Sequence, residues 1–258
     1  MSLELHCEER GKVGAPVIVF LHGLLGSSRN WRSVTKLLSE DYSTLSFDLP
    51  NHGKSFHQDG TSVQEMANAV FGRLEEMGIS KFIICGHSLG GKVAMRMACD
   101  HAGSIEKLIV VDIAPRDYPS EHHIPTLEAL MELDLGKLSS RKEADLALTE
   151  KIPNWAFRQF LLTNLTQKEG KFFWSANLNT LRDSIASLSS NPLKDEQFLG
   201  AALFISGGKS GYVRSEHHVQ IKQFFPNVEI KTLADAGHDV HVEDREGFLT
   251  LLQSFLKD

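Results

Sequence analysis

Gly86-His87-Ser88-Leu89-Gly90 sets a serine two residues from a glycine on either side, between the apolar run KFIICG and the helically spaced KVAMRMACDHA. This is the G-x-S-x-G pattern, in which a sharp strand-to-helix turn displays a serine hydroxyl and the small flanking residues let neighbouring backbone approach. A serine hydroxyl is a weak nucleophile near neutral pH, so a base must take its proton and a third group must hold that base. The chemistry such a set performs is acyl transfer to serine.

His238 is the expected base. It lies in LADAGHDVHVED, after the apolar run VEIKTLA and before the terminal helix, at the sheet edge the elbow occupies. His122, His123, His217 and His218 stand in polar stretches, and His101 stands at the end of a helix, where a histidine complements the dipole. His238-x-x-His241 with Glu243 lacks the ligand spacing of structural zinc or metalloprotease sites, so no metal is expected.

The acid is less plain. In chain order it follows the serine and precedes the histidine, commonly in the loop after the strand AALFISG. That loop reads GGKSGYVRSE, with Ser210 where a carboxylate is looked for. Asp112 closes KLIVVDIAP, the neighbouring strand, and reaches the same edge. Asp112 is therefore the expected acid, with Glu216 as its rival and Asp239 a poorer fit because it adjoins the histidine. Ser210 is expected to be an accessory residue. In FLHGLLGSSRNW the strand ends at His22-Gly23. The backbone N–H groups of Leu24 and Leu89 are the expected oxyanion donors, a role that asks nothing of their side chains.

These residues must be positioned by strands at LELHCEE, PVIVFLH, STLSFDL, KFIICG, KLIVVDI, AALFISG and VEIKTLA, with helices near 31–40, 61–77, 89–102, 213–224 and 246–257. Strands separated by helices imply an α/β fold whose mostly parallel sheet is covered on both faces. From Arg116 to Asn191 no convincing buried strand appears, while PTLEALMELDL, RKEADLALTEKI and AFRQFLLTNL have helical spacing. Residues 1–115 and 192–258 are thus expected to form the core domain and 116–191 a helical cap insertion above the sheet's C-terminal edge. PSEHHIP and SLSSNPL are its expected hinges. The insertion holds Trp155, Phe157, Phe160, Phe172, Phe173 and Trp174. Such residues pack a small core of their own or roof a pocket, and Trp155, Phe160 and Trp174 are the expected pocket residues.

The bulk properties set limits on partners. The 258 residues are 41% hydrophobic and 23% charged, with a formal net charge of −6 and no basic run, so neither nucleic acid nor an anionic membrane is an expected partner. No apolar run approaches the roughly 18 residues needed to span a bilayer, and MSLELHCEERGK has no signal-like apolar core. Three cysteines make no disulfide framework, and a cytoplasmic location is expected.

With these residues assembled, the chain resembles the α/β-hydrolase superfamily along nearly its whole length, and more narrowly the small bacterial esterases related to mitochondrial abhydrolase proteins. The likeness rests on LHGLLGSSRNW, DLPNHGKS, GHSLGGKVAM, VVDIAPRDY, GGKSGYV and AGHDVH, in that order. It implies that Asp112 is the acid and Ser210 an accessory, and it implies cofactor-free hydrolysis of small carboxyl esters or acyl-CoA thioesters. Pro50 departs from the pattern, since many relatives carry arginine there. Two other uses of the same residues stay open: a C–C bond hydrolase or perhydrolase of this fold, and a ligand-binding receptor that retains the triad.

Overall fold

The computed structural model describes residues 4–257; Leu3, the first residue of the first expected strand, lies outside them. The strands are β1 Cys7–Arg10, β2 Val17–Leu21, β3 Ser43–Phe47, β4 Phe82–His87, β5 Ile105–Val111, β6 Leu165–Lys168, β7 Lys171–Trp174, β8 Ala201–Gly207 and β9 Val228–Leu233. Among the described residues, seven of them form one sheet in the order β1-β3-β2-β4-β5-β8-β9. Only β1 runs antiparallel to its neighbour.

The central strands are apolar on both faces because both are covered. In β2, Ile18 and Phe20 join one apolar cluster with Trp31 and Phe248, while Val19 and Leu21 join the other. β4 divides the same way, Ile83 and Cys85 against Phe82 and Ile84. The covering helices are α1 Arg32–Leu38, α2 Val63–Glu76, α3 Leu89–Asp100, α4 Ile124–Met131, α5 Arg141–Leu148, α6 Trp155–Leu162, α7 Leu178–Asp183, α8 Ile185–Ser189, α9 His218–Phe224, α10 Val240–Glu243 and α11 Arg245–Lys257. Ser62 caps α2 by accepting the Glu65 N–H at 3.2 Å, which stops that helix from starting at Thr61. α9 starts later than its apolar spacing predicts, because Ser215–His217 form a 3₁₀ turn first.

The segment between β5 and β8 carries α4, α5 and α6 where the spacing predicts helices, and in addition the short helices α7 and α8 and the antiparallel hairpin β6–β7. Its turn, Glu169-Gly170, has φ of 51° and 79°, the left-handed pair that suits a two-residue hairpin. Leu127, Leu130, Leu161, Leu181 and Leu188 from this segment belong to the same apolar cluster as α3 and one face of the sheet.

The chain runs from β2 out to β3 and then crosses back to β4 on the other side of β2. The loops leaving β2 and β4 therefore diverge from adjacent strand ends, the place where open parallel sheets leave a crevice for ligands. No helix among the described residues is long and apolar enough to cross a membrane.

Candidate active site

Ser88 stands between β4 and α3 with φ 50° and ψ −117°, a conformation that costs an L-residue of order 1–3 kcal/mol and persists only where its surroundings enforce it. The enforcement is visible in the glycines. A side chain on Gly86 would strike the backbone of Gly90, and one on Gly90 would strike the carbonyls of Leu21 and His22. The Ser88 N–H donates to the Val111 carbonyl at 3.0 Å, which ties the turn to the end of β5.

Asp112 is the first residue after β5, 1% exposed, with φ 48°. Its carboxylate takes three donors, two from the end of β8 and the loop that follows it and one from the loop after β9. Oδ1 accepts the Gly207 N–H at 3.0 Å, and Oδ2 accepts the Ser210 hydroxyl and, at 2.7 Å, His238 Nδ1. Because the carboxylate only accepts, Nδ1 carries the proton and Nε2 is the basic nitrogen. Tyr212 stacks on the His238 ring with centroids 3.9 Å apart. Glu216 faces His217 Nε2 at 3.5 Å with 68% of its side chain exposed, and Asp239 lies 3.9 Å from His87 Nε2. Neither rival acid is hydrogen-bonded to the His238 ring.

His87 couples the elbow to the histidine loop. Its Nε2–H donates to the His238 carbonyl at 2.9 Å. Burial, and then repulsion from a charged His238, push its pKa down to about 4, so the ring is neutral at pH 7. Glu243 holds the same loop by accepting the N–H groups of Gly237 at 2.9 Å and Asp239 at 3.2 Å.

A family model described as alpha/beta hydrolase fold matches residues 16–245. The chain belongs to the α/β-hydrolase family. This hydrolase is 36% identical to the mouse sn-1-specific diacylglycerol lipase ABHD11 over 95% of its own length and 82% of that protein. It is 30% identical to esterase YbfF of Escherichia coli, with 93% of each chain covered. A solved structure of a marine microorganism esterase superposes with a TM-score of 0.95 at 32% identity, covering 98% of this chain and all of that one.

The hydrolase has a cavity of about 220 Å³ lined by Ser88, Leu24, His238, Leu127, Phe160 and Leu161 among others. A smaller space of about 30 Å³ shares Leu24 and Ser88 with it and also touches Leu89 and Lys92. Leu89 is the first residue of α3, so its N–H has no acceptor within the helix. Of the three expected pocket aromatics, only Phe160 lines the cavity over Ser88. Trp155 is a correction: it opens α6 with 64% of its surface exposed, where the helix turns its apolar stripe the other way. Trp174 is another. Its indole N–H donates to the Leu130 carbonyl at 3.1 Å, which turns the ring towards a separate depression beside His57 and Met131. Phe157, one of the insertion's aromatics outside the expected pocket set, lines the cavity as well, as do His123 and Tyr212, which the sequence reading does not place there. Phe157 and His123 carry no sequence signal beyond their types; Tyr212 could have been suspected from its place two residues after Ser210.

Proposed function

We propose that this hydrolase is a serine esterase acting through an acyl-enzyme. Ser88 Oγ attacks the ester carbonyl carbon while His238 Nε2 takes its proton, and the imidazolium so formed is stabilised by Asp112 through Nδ1–H. The backbone N–H groups of Leu24 and Leu89 receive the oxyanion, each worth about 3 kcal/mol in the transition state. His238 then protonates the leaving group, the C–O bond breaks, and water repeats the sequence to release the acid and restore Ser88. Ser210 is an accessory that holds Asp112, and residues 116–191 serve as the cap over a core of 1–115 and 192–258.

The observation that carries this reading is the 2.7 Å bond from His238 Nδ1 to buried Asp112, because it leaves the basic nitrogen free in the cavity that strained Ser88 lines. The named activities of the relatives support it. Neither lysine nor arginine is among the described residues lining the larger cavity, which supports an uncharged alcohol as leaving group ahead of the phosphate-bearing thiol of an acyl-CoA. Cys7, Cys85 and Cys99 are all unpaired, in keeping with a cytoplasmic setting.

The test is turnover of p-nitrophenyl esters of two to sixteen carbons beside the matched acyl-CoAs, with Ser88→Ala as the blank. Ser88-dependent turnover, faster on the oxygen esters, is the expected result. Equal background rates for parent and variant would remove the esterase reading and leave the C–C hydrolase and the receptor.

A further inference from the structure

His22, the last histidine before the turn that follows β2, is completely buried and plays no part in the chemistry above. Both of its ring nitrogens are nevertheless used. The Leu49 N–H donates to Nε2 at 3.0 Å, so Nε2 bears the lone pair and the ring proton is on Nδ1, 2.8 Å from the Gly23 carbonyl oxygen. That carbonyl also accepts the Gly26 N–H at 3.0 Å.

The Gly23 carbonyl and the Leu24 N–H belong to one peptide unit, and in a trans peptide they point in opposite directions. Two donors that pin the oxygen on the protein side therefore aim the N–H the other way, while Gly23 and Leu24 both line the cavity over Ser88. From this geometry we infer that His22 is a positioning residue, which sets one oxyanion donor through the peptide that carries it. The inference rests on the esterase reading, since it needs Leu24 to be such a donor. Burial pushes the His22 pKa below the ordinary histidine value, so the single neutral tautomer that the two bonds require is the form present at working pH.

His22→Asn and His22→Gln in the full chain separate the two bonds. An asparagine amide reaches the place of Nδ1 and keeps a donor for Gly23; a glutamine amide reaches the place of Nε2 and keeps an acceptor for Leu49. Three readouts are needed: kcat and KM on p-nitrophenyl acetate, affinity for an aliphatic trifluoromethyl ketone, whose hemiketal oxyanion occupies the donor site, and the melting temperature. His22→Asn is expected to melt lower, because the buried Leu49 N–H is orphaned, yet to keep kcat within about five-fold. His22→Gln is expected to melt near the parent and to lose roughly 30- to 100-fold in kcat and in ketone affinity, with KM nearly unchanged.

Equal kcat losses in the two variants, full ketone affinity in His22→Gln, or losses that merely follow the melting temperature would overturn the inference. If the parent turns over and Ser88→Ala does not, any of those results removes the role of His22 alone. If the parent has no Ser88-dependent turnover, the esterase reading has failed and the inference falls with it.

Discussion

Asp112 accepts from a backbone amide, a hydroxyl and an imidazole at once, and the three bonds differ in what their loss does. Asp112→Asn presents an amide N–H₂ or a weaker oxygen to His238 Nδ1. The imidazole can then hold its proton on Nε2, where it cannot act as base. A fall in kcat on the order of 10⁴-fold is expected. Ser210→Ala removes one of the three donors and leaves the Nδ1 bond whole, so a fall in kcat of roughly ten- to a hundred-fold is expected, one charge-assisted hydrogen bond being worth roughly 1.5–3 kcal/mol. Steady-state kinetics on one short-chain ester decide both. A Ser210→Ala loss as deep as that of Asp112→Asn would mean that the hydroxyl, rather than the Gly207 amide, is what holds the carboxylate.

At the scale of elements, α3 does more than present Ser88. One turn further on, Lys92 is 2% exposed. Its ammonium donates to the carbonyls of Ser189 at 2.5 Å and Ser190 at 2.6 Å, with that of Arg116 at 3.4 Å. Those residues bracket the segment between β5 and β8, so one side chain fastens both of its ends to the helix that follows Ser88. Burial pushes its pKa down to about 7. Lys92→Met fills the volume and leaves those carbonyls without their donor, a loss of about 2 kcal/mol in stability. Limited proteolysis is expected to cut the variant between 116 and 191 faster than the parent, and an unchanged cleavage pattern would show that the ends are held by packing alone.

The same scale shows what was legible in the sequence. The strands from KFIICG, KLIVVDI and AALFISG are where their apolar runs put them, because a parallel strand covered on both faces has to be apolar throughout. The elbow was legible for the same reason, since strand and helix on either side of Ser88 leave one place for the turn. The hairpin β6–β7 was not: its strands are four residues long and largely half-exposed, so they give no run that a search for buried strands can catch. That Phe160 is half-buried at the cavity while Trp155 is exposed was equally hidden, because the period of a helix says which residues share a face and not which partner the face meets.

Across the whole molecule, buried neutral histidines set the response to acid. His22, His52, His87 and His241 all lie below the ordinary histidine pKa of 6.5, chiefly through burial, with His52 near 3 and His87 near 4. Below pH 6.5 the unfolded chain takes up protons at these positions and the folded chain does not. Stability is therefore held above about pH 6.5 and lost as pH falls toward 4 and then 3, at about 1.4 kcal/mol per pH unit for each histidine. Urea midpoints at pH 7, 5.5 and 4.5 should fall in that order, and a flat series would mean that these rings are protonated in the folded state.

The loops that converge on Ser88 leave β2, β4, β5, β8 and β9, and the bond between Asp112 and His238 joins residues 126 positions apart. A chain that has built its helices but not yet added β9 has an elbow and a carboxylate still held by Gly207 and Ser210, without His238 to complete it. Non-local pairings of this kind form late. After dilution from denaturant, ester turnover should return more slowly than far-ultraviolet circular dichroism. Activity is then a clock for the last docking step in folding, and a nascent chain is enzymatically silent until its synthesis has passed His238.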